Sequence, residues 1–317
     1  MIDPKLVTVF GGGGFIGRYV CEQLFEYNEY NVRLRVASRE PRRANYIQPL
    51  GQVGQFGFVR ADVTNRKSVR HAIDGATAVI NLTGSFDRMN AIHVEGSKAI
   101  AEAAKAAGVQ SLVHISAIGA DADGEAVYAR TKGQGEDAVR KAFPNATIIR
   151  PSIVFGTEDQ LTNRLAGMSR LPVVPVIAPR TCFQPVFVED LAKAIARAAI
   201  DPKRHAGKTY EIGGPQILSM LEFTTEILKA AGRDADLIEV PNAVTSLISY
   251  LGFLPGAPLT RDQWLMLQED NVPSPGSEGL EAFGIKATPF GAVAPEWLRM
   301  YGGNRFARRS ASLAANS

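Results

Sequence analysis

The sequence predicts an α/β protein built on a doubly wound parallel sheet, with a smaller C-terminal α/β region. Two observations carry this prediction. In the first 150 residues, short apolar segments alternate with segments whose apolar residues recur every three or four positions. Four consecutive glycines at 11–14 separate the first apolar segment from the first helical one. Strands that alternate with helices form βαβ units, and the strands of such units are parallel.

Apolar runs and helical periodicity give the elements of this half in order. We expect strands at residues 6–10, 32–38, 56–61, 78–82, 111–115 and 146–150. We expect a first helix from Phe15, with Ile16, Val20, Leu24 and Tyr27 on its inner face, and further helices at 66–73, 90–107 and 128–143. Gly108 stands where the third of these helices should end. The pattern is that of a Rossmann-type fold.

The pattern becomes less regular after Pro151. Four prolines between residues 171 and 185 predict a loop, followed by helices at 191–199 and 219–231 with a strand at 209–212 between them. Ser219 and Glu222 have the spacing of a capping box at the start of the second helix, and Gly232 ends it. The apolar stretch 243–254 is expected to be a helix packed on the domain, with a helix lying at a membrane surface as the alternative.

The composition is that of a soluble globular protein: 45% of the 317 residues are apolar and 21% are charged, with a net charge of +3. Nine Lys and Arg fall in residues 30–70, against Glu40 and Asp62. Such a cluster suits an extra phosphate or an acidic partner, and the alternative is a solvated face. Two cysteines and four scattered histidines predict no disulfide framework and no metal site. No nucleic-acid partner is expected.

The sequence also gives an expectation about location. No run reaches the roughly 18 apolar residues of a transmembrane helix. Only Met1 to Pro4 precede the first strand, which leaves no room for a signal or transit peptide. We expect a peripheral protein on the cytoplasmic side of a bacterial inner membrane, or a mature form that has already been trimmed. A soluble cytoplasmic enzyme is the alternative.

The glycine run predicts a dinucleotide site. A strand, a glycine turn and a helix place a pyrophosphate at the helix N-terminus, where the backbone N–H groups of Phe15 and Ile16 point. Two spacings are present. Gly12, Gly14 and Gly17 fit the ordinary dehydrogenase fingerprint, and Gly11, Gly14 and Gly17 fit the extended short-chain dehydrogenase one. We therefore expect an NAD(P)-binding domain at 1–150, a smaller domain at 151–302 that closes over the cofactor, and a disordered tail at 303–317.

The end of the second strand favours NADP(H) over NAD(H). An acidic residue usually holds the ribose 2′-hydroxyl at this point, but here the strand ends in Ser38 and Arg39. A guanidinium suits a 2′-phosphate, and Arg18 is a second candidate for that contact. Further cofactor contacts are expected at the carboxyl ends of the next two strands, from Asp62 and Val63 and from Leu82, Thr83 and Gly84.

Ser116, Tyr128 and Lys132 are the candidate catalytic residues. Tyr128 and Lys132 are four positions apart and share one helix face. A neighbouring ammonium stabilises a phenolate, so we expect it to lower the tyrosine pKa and to allow proton transfer. Ser116 is placed to orient a carbonyl oxygen. The alternative is that the pair binds the nicotinamide ribose without catalysing anything.

These residues together resemble the short-chain dehydrogenase/reductase superfamily, which includes the NAD-dependent epimerase/dehydratase family. Within it, the chain is similar to the atypical branch that forms the NAD(P)-binding accessory subunit of respiratory complex I (NADH:ubiquinone oxidoreductase), of alphaproteobacterial type. The segments that carry the resemblance are VFGGGGFIGRYV (9–20), VINLTG (79–84), YARTKGQGEDAVRKAFPNATIIRPSIVFGTED (128–159), QPVFVED (184–190) and FGIKATPF (283–290).

The resemblance implies a structural NADPH in a subunit of the peripheral arm, close to the core subunits at its junction with the membrane arm. It assigns phosphate and 2′-phosphate contacts to Gly11, Gly14, Gly17, Arg18 and Arg39. It assigns ribose contacts to Tyr128 and Lys132, and the loop beside the nicotinamide to Pro151 and Ser152. Three functions remain open: a complex I accessory subunit, an NADPH-dependent reductase or epimerase for a carbonyl or sugar-nucleotide substrate, and an NADP(H) redox sensor.

Overall fold

The computed structural model describes residues 5–26, 32–52, 54–250 and 259–302. Its strands are β1 Lys5–Phe10, β2 Val32–Ser38, β3 Phe56–Arg60, β4 Ala78–Asn81, β5 Ser111–Ile115, β6 Thr147–Pro151, β7 Val154–Phe155, β8 Val173–Val176, β9 Cys182–Phe183, β10 Val186–Phe187, β11 Thr209–Ile212, β12 Leu218–Ser219 and β13 Asp236–Glu239. Seven of them form a parallel sheet in the order β11-β6-β5-β4-β1-β2-β3.

The helices are α1 Phe15–Glu26, α2 Arg66–Ile73, α3 Ser97–Ala106, α4 Val127–Ala142, α5 Gln160–Met168, α6 Val188–Ile200, α7 Pro202–His205, α8 Met220–Ala231, α9 Asn242–Tyr250, α10 Arg261–Met266, α11 Phe290–Val293 and α12 Pro295–Leu298. Some of them cover both faces of the main sheet. The first face packs α1 and α6 against Val7, Val9 and Leu34. The opposite face packs α2, α3 and α4 against Phe10, Val79 and Leu112. Both faces are apolar, as a fully covered parallel sheet requires.

The strand order places a binding crevice at the middle of the sheet. From β1 the chain runs outward through β2 to β3, and then returns to β4 on the other side of β1. The helices that follow β1 and β4 therefore leave in opposite directions. The carboxyl ends of these two strands form the topological switch point, which is where open α/β sheets bind ligands.

The main sheet confirms the predicted fold class. The strands predicted at 32–38, 111–115 and 209–212 and the helix predicted at 66–73 have the predicted bounds, and the other strands of the sheet differ by one residue at one or both ends. Ser219 and Glu222 form the predicted capping box, and Gly232 ends α8 in the left-handed conformation. The predicted helix at 90–107 begins with a π-helical segment, Asn90–Gly96, before α3.

The loop prediction for residues 171–185 was wrong. This segment contains β8, which pairs with β13, and β9, which pairs with β12. Pro175 lies within β8, and a proline is tolerated there because β8 pairs with a strand on one side only in the described structure. The pairing partners lie more than 30 residues further along the chain, so local composition alone did not reveal these short strands.

Two elements from beyond residue 150 belong to the main sheet layer. β11 pairs with β6 at the edge of the sheet, and α6 packs against α1. The division of the chain at residue 150 stays a prediction. The predicted tail at 303–317, part of the stretch 243–254 and Tyr27 lie outside the described residues.

Gly17 supplies the tightest contact of the predicted glycine turn and gives the first testable prediction. A Cβ atom on Gly17 would lie 2.3 Å from the carbonyl oxygen of Gly11 and 2.6 Å from the Cα of Gly12. We expect Gly17→Ala to lower the free energy of unfolding by about 1–3 kcal/mol, because α1 must move away from β1. Urea unfolding measures this change.

Gly57→Ala is the matched control, since the nearest atom to its added Cβ would be the carbonyl oxygen of Leu34 at 3.8 Å. Equal unfolding midpoints for the two variants would contradict the prediction.

Candidate dinucleotide-binding site

The glycine turn links Gly11, Gly14 and Gly17, the second of the two possible spacings. Gly11 has a φ of +79°, which favours glycine at the point where β1 ends. The N–H of Gly14 donates to the carbonyl oxygen of Gly11 at 2.9 Å. The absent side chain of Gly17 lets α1 approach that same carbonyl. The turn thereby directs the N-terminus of α1, with Phe15 and Ile16, toward the switch point.

Arg18 and Arg39, both predicted to contact a 2′-phosphate, have different surroundings. Arg39 is exposed just after β2, and Ser38 lies at the end of that strand. Arg18 forms an ion pair with Glu158. Its guanidinium also lies 5.3 Å from the centre of the Tyr46 ring. The predicted phosphate contact of Arg18 would therefore compete with a carboxylate.

Asp62, one of the predicted cofactor contacts, lies close enough to Arg39 to be affected by its charge. Its Oδ1 accepts hydrogen bonds from the backbone N–H and the hydroxyl of Thr64, at 2.9 and 2.8 Å. These bonds lower the pKa of the Asp62 carboxyl, and the charges of Arg39 and Arg88 lower it further. Asn65, not Asp62, caps α2. The sequence pattern did not indicate a role for Arg88. Its φ of +50° is unusual for a residue other than glycine.

A buried asparagine organises the next strand end. The side-chain oxygen of Asn81 accepts from the N–H and the hydroxyl of Thr83, at 3.1 and 2.6 Å. Its amide nitrogen contacts Ser97 Oγ at 3.1 Å and His114 Nδ1 at 3.0 Å. Asn81 therefore holds the segment 82–84, which includes Leu82 and Gly84, at the carboxyl end of β4. Val63 packs against Gly96 nearby. A Cβ atom on Gly96 would lie 2.8 Å from the Val63 side chain.

Lys132 is buried at the centre of the predicted catalytic group. Only 4% of its surface is exposed, and its ammonium donates to the carbonyl oxygen of Ile115 at 3.0 Å. Burial lowers the pKa of Lys132 to about 8, although Glu136 opposes the shift. The ammonium lies 5.9 Å from the centre of the Tyr128 ring, so the predicted pairing of Tyr128 with Lys132 is present.

Tyr128 does not have the lowered pKa that its spacing from Lys132 predicted. Burial raises the pKa of Tyr128 to about 12, because a phenolate at this position loses its hydration. The ring of Phe86 stacks on Tyr128 with the ring centres 4.9 Å apart. His93 meets the same ring edge-on at 5.4 Å. The ring of Tyr128 is therefore in contact with two other rings, and its phenol is protonated near neutral pH.

Ser116 and two histidines complete the buried polar group. Ser116 Oγ and His114 Nε2 are buried and have no hydrogen-bond partner within the described parts of the chain. His93 Nε2 accepts from the N–H of Ser85, and its Nδ1 contacts the hydroxyl of Thr131. Burial lowers the pKa of His93 to about 4 and that of His114 to about 3, so both are neutral at pH 7. A buried Ser116 hydroxyl without a partner fits a site that a ligand group completes.

The C-terminal segment contacts the loop that was predicted to lie beside the nicotinamide, and sequence reasoning missed this contact. The hydroxyl of Ser152 is 2.8 Å from both the backbone oxygen and the side-chain oxygen of Asn271. The amide of Asn271 donates to the carbonyl oxygen of Ile118 at 3.1 Å. Asn271 thus joins the loop after β5 to the loop after β6, next to Pro151. Only contacts distant in sequence reveal this role.

Asp262 joins the same segment to the helix that carries Tyr128 and Lys132. Its carboxylate accepts from the backbone N–H groups of Val127 and Tyr128, at 2.5 and 3.1 Å. Ala126, the local N-cap residue of α4, has no side chain that can do this. The cap of α4 is therefore supplied from 134 residues away.

The burial of Lys132 predicts a pH dependence of stability. The folded pKa of about 8 lies below the ordinary value of 10.5, so between these values the unfolded chain binds a proton that the folded chain does not. Lys132 should therefore contribute a rise in the free energy of unfolding with pH across this window. Lys132→Met should remove that rise, which amounts to about 1–3 kcal/mol. Urea unfolding of both proteins across the window measures the difference.

Lys105→Met, which changes an exposed lysine on α3, is the control and should keep the wild-type profile. Parallel profiles for the wild type and Lys132→Met would show that Lys132 does not titrate in this window.

Comparison with known proteins agrees with this geometry. A family model described as NAD(P)H-binding matches residues 11–173, which is half of the chain. The NADH dehydrogenase (ubiquinone) 1 alpha subcomplex subunit 9 of Rattus norvegicus mitochondria is 32% identical over 315 residues, covering 95% of this chain and 81% of the rat protein. The subunit of the same name from Dictyostelium discoideum is 29% identical, covering 95% of this chain and 86% of its own.

A solved structure gives the same fold at low identity. The Escherichia coli NADPH-dependent quinone oxidoreductase in complex with NADPH superposes with a TM-score of 0.74 and 19% identity, covering 92% of this chain and 99% of that one. This likeness shows the fold alone. The family model and the rat relative show more: this chain belongs to the NAD(P)H-binding family of atypical short-chain dehydrogenases/reductases that includes the alpha subcomplex subunit 9 of NADH dehydrogenase (ubiquinone).

Proposed function

We propose that this chain is an accessory subunit of respiratory complex I that holds NADP(H) as a structural cofactor. The observation that carries the proposal is the extent of the similarity to the rat subunit. The NAD(P)H-binding model ends at residue 173, but the similarity covers 95% of this chain. The similarity therefore includes the C-terminal elements that supply Asp262 and Asn271. A shared cofactor alone would not require similarity in these elements.

The proposed position is the peripheral arm, near its junction with the membrane arm, on the cytoplasmic side of a bacterial inner membrane. Among the described residues, every helix is too short or too polar to span a bilayer. Surfaces for partner contact are available. Arg42 and Arg60 are exposed in the basic segment 30–70, and α9 exposes Leu247 and Tyr250. Core subunits of the complex are the proposed partners.

Two features support a cofactor that is held and not turned over. Phe86 stacks on the ring of Tyr128, with the ring centres 4.9 Å apart. Asn271 bridges the two loops at the nicotinamide end, where a second substrate would have to enter. We propose that residues 151–302 act in this way as the part that closes over the cofactor, while residues 1–150 bind it. NADP(H), when bound, supplies hydride chemistry at this end.

One observation favours an enzyme as the second candidate. Ser116 Oγ is buried without a partner in the described structure, and it follows the strand whose end holds Lys132. A carbonyl oxygen or a hydroxyl would satisfy it. This candidate is an NADPH-dependent reductase or epimerase, and it requires Phe86 or the segment around Asn271 to move.

A deletion strain distinguishes the two candidates. We expect loss of the gene to lower the amount of assembled complex I, seen as NADH:quinone activity in membranes and as the complex on native gels. Wild type and Tyr128→Phe should both restore it, because the phenyl ring keeps the stack with Phe86. Restoration by the wild type alone, together with Tyr128-dependent turnover of a carbonyl substrate, would instead support the enzyme.

The preference for NADP(H) is a separate proposal, which rests on Arg39. β2 ends without an acidic side chain. The charges of Arg39 and Arg88 both lower the pKa of the nearby Asp62 carboxyl. We expect Arg39→Gln to weaken NADPH binding by about 10- to 100-fold while NADH binding changes little, because a charged hydrogen bond to the 2′-phosphate is lost. Calorimetric titration of both nucleotides measures this.

Arg33→Gln is the control for Arg39, since Arg33 is exposed at the opposite end of the same strand. An equal effect of Arg39→Gln on both nucleotides would contradict the assignment of Arg39 to the 2′-phosphate.

A further inference from the structure

We propose that Glu158 is a positioning residue that holds Arg18 as a clasp beside the glycine turn, and that this clasp sets the rate of dinucleotide exchange. The inference rests on the proposed dinucleotide binding at this site and not on membership of complex I. Glu158 accepts from both Arg18 and Tyr19, with the Tyr19 hydroxyl 2.7 Å from Oε2. Both donors lie on α1, the helix whose N-terminus faces the pyrophosphate position.

The loop that carries Glu158, residues 156–159, is fixed in place. The Asp159 side chain accepts from the N–H of Gly156 at 3.2 Å and from the N–H of Thr162 at 2.7 Å, where it caps α5. A Cβ on Gly156 would meet the ring of Phe15 at 3.2 Å and Val188 at 2.6 Å. The loop therefore packs directly on the first residue of α1, and Glu158 is held next to the dinucleotide site.

Arg18 spans from this loop to the opposite side of the glycine turn. On that side lies the 3-10 helix Pro41–Leu50, whose Tyr46 hydroxyl donates to the carbonyl oxygen of Gly13 at 3.0 Å. The Arg18 guanidinium is 5.3 Å from the Tyr46 ring while it pairs with Glu158. The Arg18 side chain thus contacts both segments that flank the glycine turn, the loop 156–159 and the 3-10 helix Pro41–Leu50. In this proposal an entering or leaving dinucleotide passes between these two segments.

The strength of the Arg18–Glu158 ion pair suits a role in setting the rate of dinucleotide exchange. Both side chains are about one-third exposed, at 36% and 35%, so the ion pair adds little to overall stability. The free-energy cost of breaking the Arg18–Glu158 pair is large enough to slow dinucleotide exchange and too small to prevent it. This assignment differs from a direct 2′-phosphate contact by Arg18, and the two predict opposite effects of removing the Glu158 charge.

The test compares Glu158→Gln, Arg18→Gln and the double variant in the full chain. The probe is NADPH, whose release into excess NADP⁺ is followed by stopped-flow fluorescence, with association rates and equilibrium binding measured alongside. We expect each single variant to raise the release rate by about two- to fivefold, and the double variant to add nothing further, because each single variant breaks the same ion pair. Association rates should rise too, so that Kd changes less than either rate.

Glu102→Gln is the matched control, because it breaks a comparable ion pair with Arg66 whose side chains are 56% and 40% exposed. It should leave both rates unchanged, and melting curves should show that all variants fold. Unchanged release from Glu158→Gln would overturn the clasp. Tighter NADPH binding by Glu158→Gln with weaker binding by Arg18→Gln would also overturn it, in favour of a 2′-phosphate contact. Failure of the wild type to bind NADPH at all would overturn the dinucleotide proposal as well.

Discussion

The approach of α1 to the glycine turn is the constraint on which the rest of the site depends. Gly17 lets the helix lie against the Gly11 carbonyl, and the left-handed Gly11 turns the chain so that the helix N-terminus faces the switch point. The two segments that flank the site, the loop 156–159 and the 3-10 helix Pro41–Leu50, both contact this part of the chain. The Gly156 loop packs on Phe15 from one side, and Tyr46 bonds to Gly13 from the other. A side chain at position 17 would displace all of these contacts together.

A second constraint connects the helix of Tyr128 and Lys132 to the C-terminal segment. Glu136, one turn beyond Lys132, is 1% exposed and binds Arg150 through two hydrogen bonds of 2.8 Å. Arg150 also contacts Glu211 at 3.1 Å, and Glu211 accepts from the N–H of Ser274 at 2.6 Å. A buried charge pair contributes little net stability, but breaking it leaves a charge uncompensated. The network therefore fixes α4, β6, β11 and the segment of Asn271 in one arrangement.

The sequence predicted what depends on local pattern. Apolar runs located the strands of the main sheet, and the glycine spacing located the turn, because both depend on residues close together in the chain. Contacts between distant segments were not predictable in this way. Asn271 reaches Ile118 across 153 positions and Asp262 caps α4 across 134, and neither residue belongs to a motif. The partners of Glu158 were missed for the same reason.

Two further differences have a chemical cause. The YxxxK spacing correctly placed Lys132 beside Tyr128, but spacing carries no information about burial, and burial determines the pKa of both groups. Helix α9 presents Val244 and Leu247 outward and buries Thr245 and Ser249. The apolar stretch predicted a helix there and did not indicate which face would be exposed.

The proposed role of this chain has two parts, binding of NADP(H) and membership of complex I. Affinity purification from membranes in mild detergent, with the proteins and the bound nucleotide identified by mass spectrometry, tests both parts in one measurement. We expect core subunits of complex I and NADP(H) to be recovered with the chain, at about one nucleotide per chain. Recovery of the chain without complex I subunits, or with NAD(H) or no nucleotide, would contradict it.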